Sequence, residues 1–290
     1  VKNWFADKAL WLERVRFADG SEWDAQSLTD QAQRPGDGND AYAVVRGAAG
    51  RDVHGQNGND TLSGNGLADS LHGDAGQDLL NGWDGDDSLF GGADEDTLNG
   101  GNGDDLLDGG DGDDVLNAGS GVNTLRGGAG DDELNNNWGG HHNTFEGGAG
   151  NDTINGSVEK DRYLFALGDG QDRIVDNCGD YRNHGDWDEN FRDELLMGVG
   201  ADRLFFRQSD DHLEISVIGT EDKVTVENWF LDKAYQIERF KTSDGKTLMS
   251  SQVQSLVDAM AGFSPSSSAS ETMPAEFDAV QETIVSSSWQ

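Results

Sequence analysis

Between Gly55 and Asn135 the chain repeats one pattern of apolar and polar positions nine times, with a period of nine residues. Leucine occupies the eighth place of every repeat, from Leu62 to Leu134, and glycines fill most of the first, second and fourth places. Glycine permits the positive φ angles of a tight turn, and the residues around each leucine predict a very short strand. Each single leucine then points inward to meet leucines of neighbouring coils, which predicts a solenoid with a thin, stacked core.

The sixth place of each repeat is acidic, or asparagine once. The nine residues at this place are Asp60, Asp69, Asp78, Asp87, Asp96, Asp105, Asp114, Asn123 and Asp132. After a longer turn the phase returns in the segment GGAGNDTIN, which contributes Asp152. Stacked carboxylates repel one another strongly unless a divalent cation lies between them, and Ca²⁺ prefers six to eight oxygen ligands.

The repeat has the form G-G-x-G-x-D-x-U-x and resembles the repeat-in-toxin (RTX) group of secreted calcium-binding proteins over roughly residues 35 to 175. The resemblance implies an all-β fold, a parallel β-roll in which two nonamers make one coil and residues eighteen apart stack in one of two columns. Each calcium ion would take one aspartate from each of two stacked turns and backbone carbonyl oxygens from the glycine loops. About seven to nine ions would bind. The glycines expected to contribute are Gly73, Gly82, Gly91, Gly100 and Gly109.

Some turns depart from the pattern, and weaker or empty sites are predicted there. Asn123 lacks the charge, while Asp94 and Leu67 replace the glycine of the fourth place. His141 and His142 lie in the longer turn. Two adjacent histidines without a third partner favour loop residues over a transition-metal site, which stays open as an alternative.

Composition sharpens this picture. The 290 residues include 56 acids against 20 bases, for a formal net charge of -36, so the surface repels nucleic acid and anionic membrane and attracts cations. Cys178 is the one cysteine, which excludes an intrachain disulfide. An acidic, glycine-rich chain of low apolar content is also typical of a disordered linker, and we expect that state without metal.

The flanks contain a second repeat. The segment VKNWFADKALWLERVRFADG at Val1 aligns without gaps with VENWFLDKAYQIERFKTSDG at Val226. The element resembles the strand-rich segment that follows each block of large multi-block RTX proteins. The resemblance implies that residues 1–34 end a preceding RTX block and cap this roll at 35–163, and residues 164–250 are predicted to form a β-rich C-terminal cap. That cap is predicted to contain two hairpins, about Ser209 to Asp211 and about Asp244-Gly245, with a further strand in KVTVENWF. The aromatic residues expected to cover the last coil are Trp187, Phe205, Phe206, Trp229 and Phe230.

Residues 251–290 combine a helical pattern in SSQVQSLVDAMAGF, a serine-rich linker and a weakly amphipathic end. They resemble the uncleaved C-terminal signal of type I secreted proteins, most closely the tails of adenylate cyclase toxin-type RTX proteins. The resemblance implies a secreted, extracellular protein that leaves the cell without a cleaved N-terminal signal.

These observations favour a calcium-dependent folding module of a secreted toxin or haemolysin-like protein, monomeric, with calcium and the type I secretion apparatus as partners. An adhesion module for a target-cell receptor or glycan is the alternative, motivated by Trp83 and Trp138. An ice-binding surface is disfavoured, because no regular outward row of threonine occupies the third places. The chain contains no H-E-x-x-H, no G-x-S-x-G and no paired Cys and His, so no catalysis is expected from these residues.

Overall fold

A computed structural model describes residues 14–16, 22–24, 35–44, 52–136, 142–157, 160–176, 192–264 and 289. The fold is all-β: two parallel sheets face each other, and the chain passes from one to the other at each turn. This confirms the predicted parallel β-roll with a short helix near the C-terminus.

The first sheet has the spatial order β4-β6-β8-β10-β12-β14-β16-β18-β22-β23. Its strands are β4 Asp52–His54, β6 Ser70–Ala75, β8 Ser88–Ala93, β10 Leu106–Asp111, β12 Thr124–Ala129, β14 Thr144–Ala149, β16 Arg162–Phe165, β18 Glu194–Met197, β22 Arg239–Thr242 and β23 Thr247–Met249. The second sheet has the order β3-β5-β7-β9-β11-β13-β15-β17-β21-β20-β19. Its strands are β3 Ala41–Ala43, β5 Thr61–Ser63, β7 Leu79–Asp84, β9 Thr97–Asn102, β11 Val115–Ser120, β13 Glu133–Asn135, β15 Thr153–Asn155, β17 Gln171–Val175, β19 Leu204–Ser209, β20 His212–Val217 and β21 Lys223–Val226.

The strand register follows from the nonamer. Two nonamers complete one coil, so residues eighteen apart pair in register, as Leu89, Leu107 and Leu125 do. The coils approach so closely that the turns need glycine: Gly103 has φ 139°, and a Cβ there would lie 1.8 Å from the carbonyl oxygen of Gly85.

The core is one continuous stack of side chains between the sheets. All nine repeat leucines are fully buried. Phe145, Ile154, Tyr163 and Ile174 extend the stack past the longer turn, and both sheets run on into the C-terminal flank without interruption. Each coil therefore depends on its neighbours for its hydrophobic contacts, as expected of a solenoid.

The outer face of the second sheet carries a ladder of asparagine side chains from the ninth place of successive repeats. The Nδ2 of Asn99, Asn117, Asn135 and Asn155 donates in each case to the Oδ1 of the preceding ladder residue, beginning at Asn81, over 2.7–3.3 Å. Because identical amides repeat in register, each can donate to the one before it and accept from the one after it.

The C-terminal flank closes both sheets with antiparallel strands. β19 and β20 form a hairpin that turns at Ser209 and His212, and β22 and β23 form another around Gly245. Both predicted hairpins and the strand β21 are confirmed. Two short 3-10 helices, Ala201–Arg203 and Lys233–Tyr235, connect these strands.

A single described α-helix, α1 (Ser250–Met260), follows β23 as the apolar spacing predicts, and it packs against β19. Within the described ranges, no helix has the length and apolar run needed to span a bilayer. Of the aromatic residues expected in the cap, Phe205, Phe206 and Trp229 are buried in the core, and Phe230 is partly buried against it. Trp289 is also buried and meets Phe206 edge to face. The predicted contribution of Trp187 lies outside the described residues.

The duplicated flanking element keeps its strand pairing in both copies. β1 (Arg14–Arg16) pairs antiparallel with β2 (Glu22–Asp24), with Arg14 opposite Asp24. In the second copy Arg239 lies opposite Met249, and these two residues align with Arg14 and Asp24 of the first copy. The two hairpins therefore have the same register. The prediction that this first copy packs on the first coil concerns residues outside the described ranges, and it stays a prediction.

Candidate metal-binding columns

The sixth-place residues of the repeats form two buried columns, one along each edge of the roll. In each column the backbone N–H of one residue donates to the side-chain Oδ1 of the next, over 2.6–3.1 Å. The first column contains Asp40, Asp60, Asp78, Asp96, Asp114, Asp132, Asp152 and Asp172. The second contains Asp69, Asp87, Asp105, Asn123, Asn143, Asp161 and Asp193. The structure thus brings together all ten acidic or amide residues singled out in the sequence.

The two oxygens of a column carboxylate differ in hydrogen bonding: Oδ1 accepts the hydrogen bond of the ladder, and Oδ2 does not take part in it. Among the described residues, eight column aspartates have a buried Oδ2 without a hydrogen-bond partner in the protein: Asp60, Asp78, Asp87, Asp96, Asp105, Asp114, Asp132 and Asp152. A buried, unpaired carboxylate oxygen is strongly unfavourable unless a proton or a cation compensates it. Each of these eight oxygens is therefore stabilised by a proton or a cation beside it.

For seven of these eight oxygens, a backbone carbonyl of the next coil approaches the same glycine as the oxygen does; it belongs to Ala118 for Asp105 and to a glycine for Asp60, Asp78, Asp87, Asp96, Asp114 and Asp132. A Cβ on Gly73 would lie 2.3 Å from Asp78 Oδ2 and 2.6 Å from the carbonyl oxygen of Gly91, one coil further on. The carbonyls of Gly73, Gly82, Gly91, Gly100 and Gly109, the five predicted glycines, each lie in this way beside the glycine of the coil before. Carboxylate and carbonyl oxygens converge on a space that only glycine leaves open, and such oxygen donors suit Ca²⁺.

The electrostatics of the columns disfavour the charged carboxylates in the protein alone. Burial, together with repulsion from neighbouring aspartates, raises the pKa of Asp96 and Asp105 to about 7 and that of Asp132 to about 8, from an ordinary value of 3.8. The same causes raise the pKa of Asp78, Asp87 and Asp114 to about 6. Each column therefore gains stability from whatever neutralises it.

Asp40 and Asp161 accept at Oδ2 from the backbone N–H groups of Gly36 and Ser157, and among the nine regular repeats one turn satisfies its aspartate in the same way. In the repeat that starts at Gly64, the backbone N–H of Asn65 donates to Asp69 Oδ2 over 2.9 Å. The residue at this second place has a positive φ in the other repeats, including Gln56, Asp74 and Trp83, and its N–H does not reach the carboxylate. Asn65 and Leu67 both lack a positive φ, so this turn folds without an orphaned oxygen.

The repeat that starts at Ala118 is altered at both its first and its sixth place. Asn123 keeps its place in the ladder, because its Oδ1 accepts from the N–H of Asp105 as an aspartate would. Five residues earlier, the buried Ala118 stands where the neighbouring repeats have glycine. By contrast Asp94, with φ 75°, adopts the turn conformation of the glycine that it replaces, and Asp96 Oδ2 remains unpaired. The turns with Leu67 and Asn123 thus differ in structure from the regular turns and the turn with Asp94 does not, while weaker or empty sites at all three stay a prediction.

Five column members lie beyond the regular nonamers and are absent from the residues predicted from the sequence: Asp40, Asn143, Asp161, Asp172 and Asp193. A sequence signal for them exists. Each is followed, two residues later, by a large apolar or aromatic residue that enters the core, as in D-x-U of the repeat. Gly36 and Gly38 precede Asp40, and Gly168 and Gly170 precede Asp172, whereas the turns before Asn143, Asp161 and Asp193 keep fewer of the glycines of the repeat, which hides the phase there.

The second column ends in a cluster of buried acids. Asp193 accepts from the N–H of Asp161 and donates its own N–H to Glu238 Oε2. Asp176 accepts a hydrogen bond from the Tyr163 hydroxyl at Oδ1, and its Oδ2 has no protein partner. Burial and mutual repulsion raise the pKa of Asp176 and Asp193 well above the ordinary value. This end of the roll has the same need for neutralisation as the columns.

The remaining candidates do not join the columns. His142 is exposed in its turn with φ 61°, whereas His141, Trp138 and Cys178 lie outside the described residues. The alternative transition-metal site at His141 and His142 therefore stays untested.

Comparison with known proteins agrees with this geometry. The family described as RTX calcium-binding nonapeptide repeat matches residues 54–89, 63–98, 90–125, 108–140 and 139–174. The haemolysin-type calcium binding protein related domain matches residues 1–27 and 212–252, which are the two copies of the duplicated flank. Among solved structures, the extracellular lipase LipA from Serratia marcescens is similar over 59% of this chain and 38% of its own, with 17% identity and a TM-score of 0.23. The alignment thus spans well under half of the lipase, and at this level the likeness carries no conclusion about activity.

Proposed function

Since this chain belongs to the RTX calcium-binding repeat proteins, we propose that it is a calcium-dependent folding module of a secreted toxin or haemolysin-like protein. The eight unpaired Oδ2 atoms of the two columns carry this proposal. A divalent cation beside each of them would neutralise the repulsion that raises the pKa of these carboxyls, and the glycine carbonyls would supply further oxygens. The number of such atoms supports about seven to nine ions.

Coupling of folding to secretion follows from the same energetics. Extracellular calcium modules typically bind with a Kd of about 10⁻⁴–10⁻³ M, far above the free calcium of the cytosol. The columns would then stay charged and unpaired inside the cell, and the chain would leave unfolded through a type I apparatus. Folding outside would oppose its return. A secretion rate that is unchanged when external calcium is removed would count against this step.

The test is far-UV circular dichroism of the full chain, titrated with calcium and, separately, with magnesium. We expect a cooperative gain of β-structure near millimolar calcium and no such gain with magnesium, which requires near-ideal octahedral geometry. A chain that is fully folded in chelator at neutral pH would overturn the proposal.

Two aspartates at equivalent places provide a matched pair for mutation. In Asp105→Asn the side chain keeps its ladder acceptor and loses the unpaired charged oxygen, so we expect about one fewer bound calcium ion per chain. In Asp69→Asn the Asn65 N–H loses its acceptor, which costs roughly 1–3 kcal/mol of unfolding free energy, but the ion count stays unchanged. Calcium stoichiometry from isothermal titration calorimetry distinguishes the two. Equal losses of ions in both variants would contradict the assignment of these turns.

One observation favours a second function, adhesion to a receptor or glycan on a target cell. Trp83 is 62% exposed, and it occupies a positive-φ place of a turn where five of the nine repeats have glycine. A large exposed aromatic residue kept at such a position is typical of a binding surface. Binding of the calcium-loaded chain to a glycan array, compared with Trp83→Gly, tests it. Under either function, catalysis would belong to parts of a parent protein outside these residues.

A further inference from the structure

A stack of aromatic rings occupies the outer face of the first sheet at the N-terminal end of the roll. His54 on β4 lies in register with His72 on β6, and their ring centroids are 4.2 Å apart with nearly parallel planes. Phe90 on β8 continues the stack 4.6 Å beyond His72. The roll thus places two imidazoles side by side on a surface that the aspartate columns do not reach.

A carboxylate lies between the two imidazoles. Asp52 Oδ1 is 3.4 Å from His54 Nε2 and 3.3 Å from His72 Nε2. Within the described part of the chain these three residues form the one group of histidine, cysteine or acidic side chains whose ligand atoms all lie within 4.8 Å of one another. A tetrahedral zinc ion with bonds of about 2.0–2.1 Å separates its ligand atoms by about 3.3–3.4 Å. The two distances from Asp52 therefore already match a shared ion.

A second carboxylate orients the outer imidazole. Both oxygens of Asp74 lie 3.1 Å from His54 Nδ1, and the backbone N–H of Gln56 donates to Asp74 Oδ2. An ionised carboxylate only accepts hydrogen bonds, so this contact favours the neutral tautomer of His54 with its proton on Nδ1, which leaves the Nε2 lone pair for a metal. A carboxylate behind a ligating histidine is the usual arrangement in zinc sites.

The backbone supports a specific role for Asp74. It has φ 73°, at the second place of its repeat, where the next coils of the same sheet have Gly92 and Gly110. A non-glycine residue in this conformation carries some strain, which is typical of functional positions. Its carboxylate accepts from the backbone N–H of Gln56 and lies beside His54 Nδ1.

We propose that Asp52, His54 and His72 bind a divalent transition-metal ion, with Zn²⁺ as the best match, and that Asp74 is the positioning residue. Imidazole nitrogen suits zinc, whereas calcium prefers oxygen, so this site would be chemically separate from the columns. Three protein ligands leave a fourth position for water or a ligand from another molecule. Binding requires the half-exposed His54 ring to tilt away from His72 and the Ser70 hydroxyl, 3.0 Å from His72 Nε2, to turn aside.

The test uses the full chain in saturating calcium, so that the columns are loaded before zinc is added. We expect one zinc ion per chain by isothermal titration calorimetry, and visible absorption bands typical of tetrahedral coordination when Co²⁺ replaces it. His54→Ala and His72→Ala should each lower the zinc affinity at least about 10-fold. Both side chains project from the outer face, so circular dichroism in calcium should remain unchanged.

The control is the double variant His141→Ala with His142→Ala, which removes two histidines elsewhere and should leave zinc binding intact. Zinc affinity that is lost in this control, or that survives His54→Ala and His72→Ala, would overturn the proposal. Because calcium-induced folding is recorded in the same samples, failure of the zinc site is distinguishable from failure of the calcium-dependent fold.

The role of Asp74 has its own variant. Asp74→Gly introduces the residue that the conformation prefers, so folding and the calcium midpoint should be preserved, while zinc affinity falls about 10-fold. An unchanged zinc affinity in Asp74→Gly would show that Asp74 does not orient His54.

Discussion

In chelator, the roll is expected to be unfolded at neutral pH and to regain β-structure when the solution is acidified to about pH 5. The cause is the raised pKa of the column carboxyls, which burial and repulsion from neighbouring aspartates bring to about 6 for Asp78, about 7 for Asp96 and about 8 for Asp132 and Asp172. Protons would then neutralise the columns in the absence of calcium.

The direction of the effect follows from linkage. A carboxyl whose folded-state pKa lies above its unfolded value favours folding fully below that unfolded value, here 3.8. This contribution disappears as the pH rises through the folded-state values of about 6 to about 8. Stability without metal should therefore fall across this window, and the calcium concentration needed for folding should rise across it.

Two paired carboxylates in the C-terminal flank set the lower end of the pH range in which the metal-free fold is stable. Burial raises the pKa of Glu194, but pairing with Lys241 and Arg239 outweighs burial, and the pKa is lowered overall. The pKa of Glu214 is lowered in the same way, against burial, by pairing with Arg207 and Lys223. Stability from these carboxylates is present above their ordinary value of 4.5 and declines as the pH falls below it. The metal-free fold should thus be most stable near about pH 4–5.

Circular dichroism in EDTA as a function of pH, alongside calcium titrations at several pH values, measures both effects. Asp96→Asn is a useful variant, because it removes one raised pKa and should leave more β-structure in chelator at neutral pH. A chelated chain that folds better at pH 8 than at pH 5 would be inconsistent with carboxylate repulsion as the obstacle to folding.

Deletion of residues 164–290 is expected to abolish calcium-induced folding of the remaining roll. The deletion cuts β16 after Tyr163 and removes β17, β18, β21 and β22, which continue both sheets, together with the antiparallel strands that close them. It exposes the edges of β14 and β15 and the end of the leucine stack, which solenoids need to have capped. Calcium titration by circular dichroism compares the deleted and full chains, and an unchanged titration would show that the roll folds without this flank.

A single substitution in the C-terminal flank measures how much this flank contributes to stability. Phe240 is fully buried on β22 and packs against Trp229 and Phe206, so Phe240→Ala should lower the free energy of unfolding in saturating calcium by about 3–5 kcal/mol. Leu231→Ala in the same flank is the control, because Leu231 is 60% exposed and its removal should cost within about 0.5 kcal/mol. Urea unfolding curves at fixed calcium separate the two.

Much of this architecture could be predicted because its rules are local and periodic. One leucine in nine residues fixes the strand and its inward face, the glycines fix the turns, and the aligned segments at Val1 and Val226 predict a hairpin that both copies form in one register. The asparagines of the ninth place were equally periodic in the sequence. Their hydrogen-bonded ladder forms only because the fold brings amides eighteen or twenty residues apart within hydrogen-bond distance.

By itself, then, the sequence determined the nine-residue period, the inward leucines and the row of carboxylates that needs cations, whereas the coil of two nonamers and the two columns were implied by the resemblance to the RTX repeats. Which carboxylate oxygens are left unpaired was decided by tertiary structure, because it depends on the backbone conformation of one residue per turn: the N–H of Asn65 reaches Asp69, while the positive φ of its counterparts turns theirs away. The cluster of Asp52, His54 and His72 has the same origin. Its members come from two repeats and meet only because stacking places their strands side by side, so no local pattern could reveal the site.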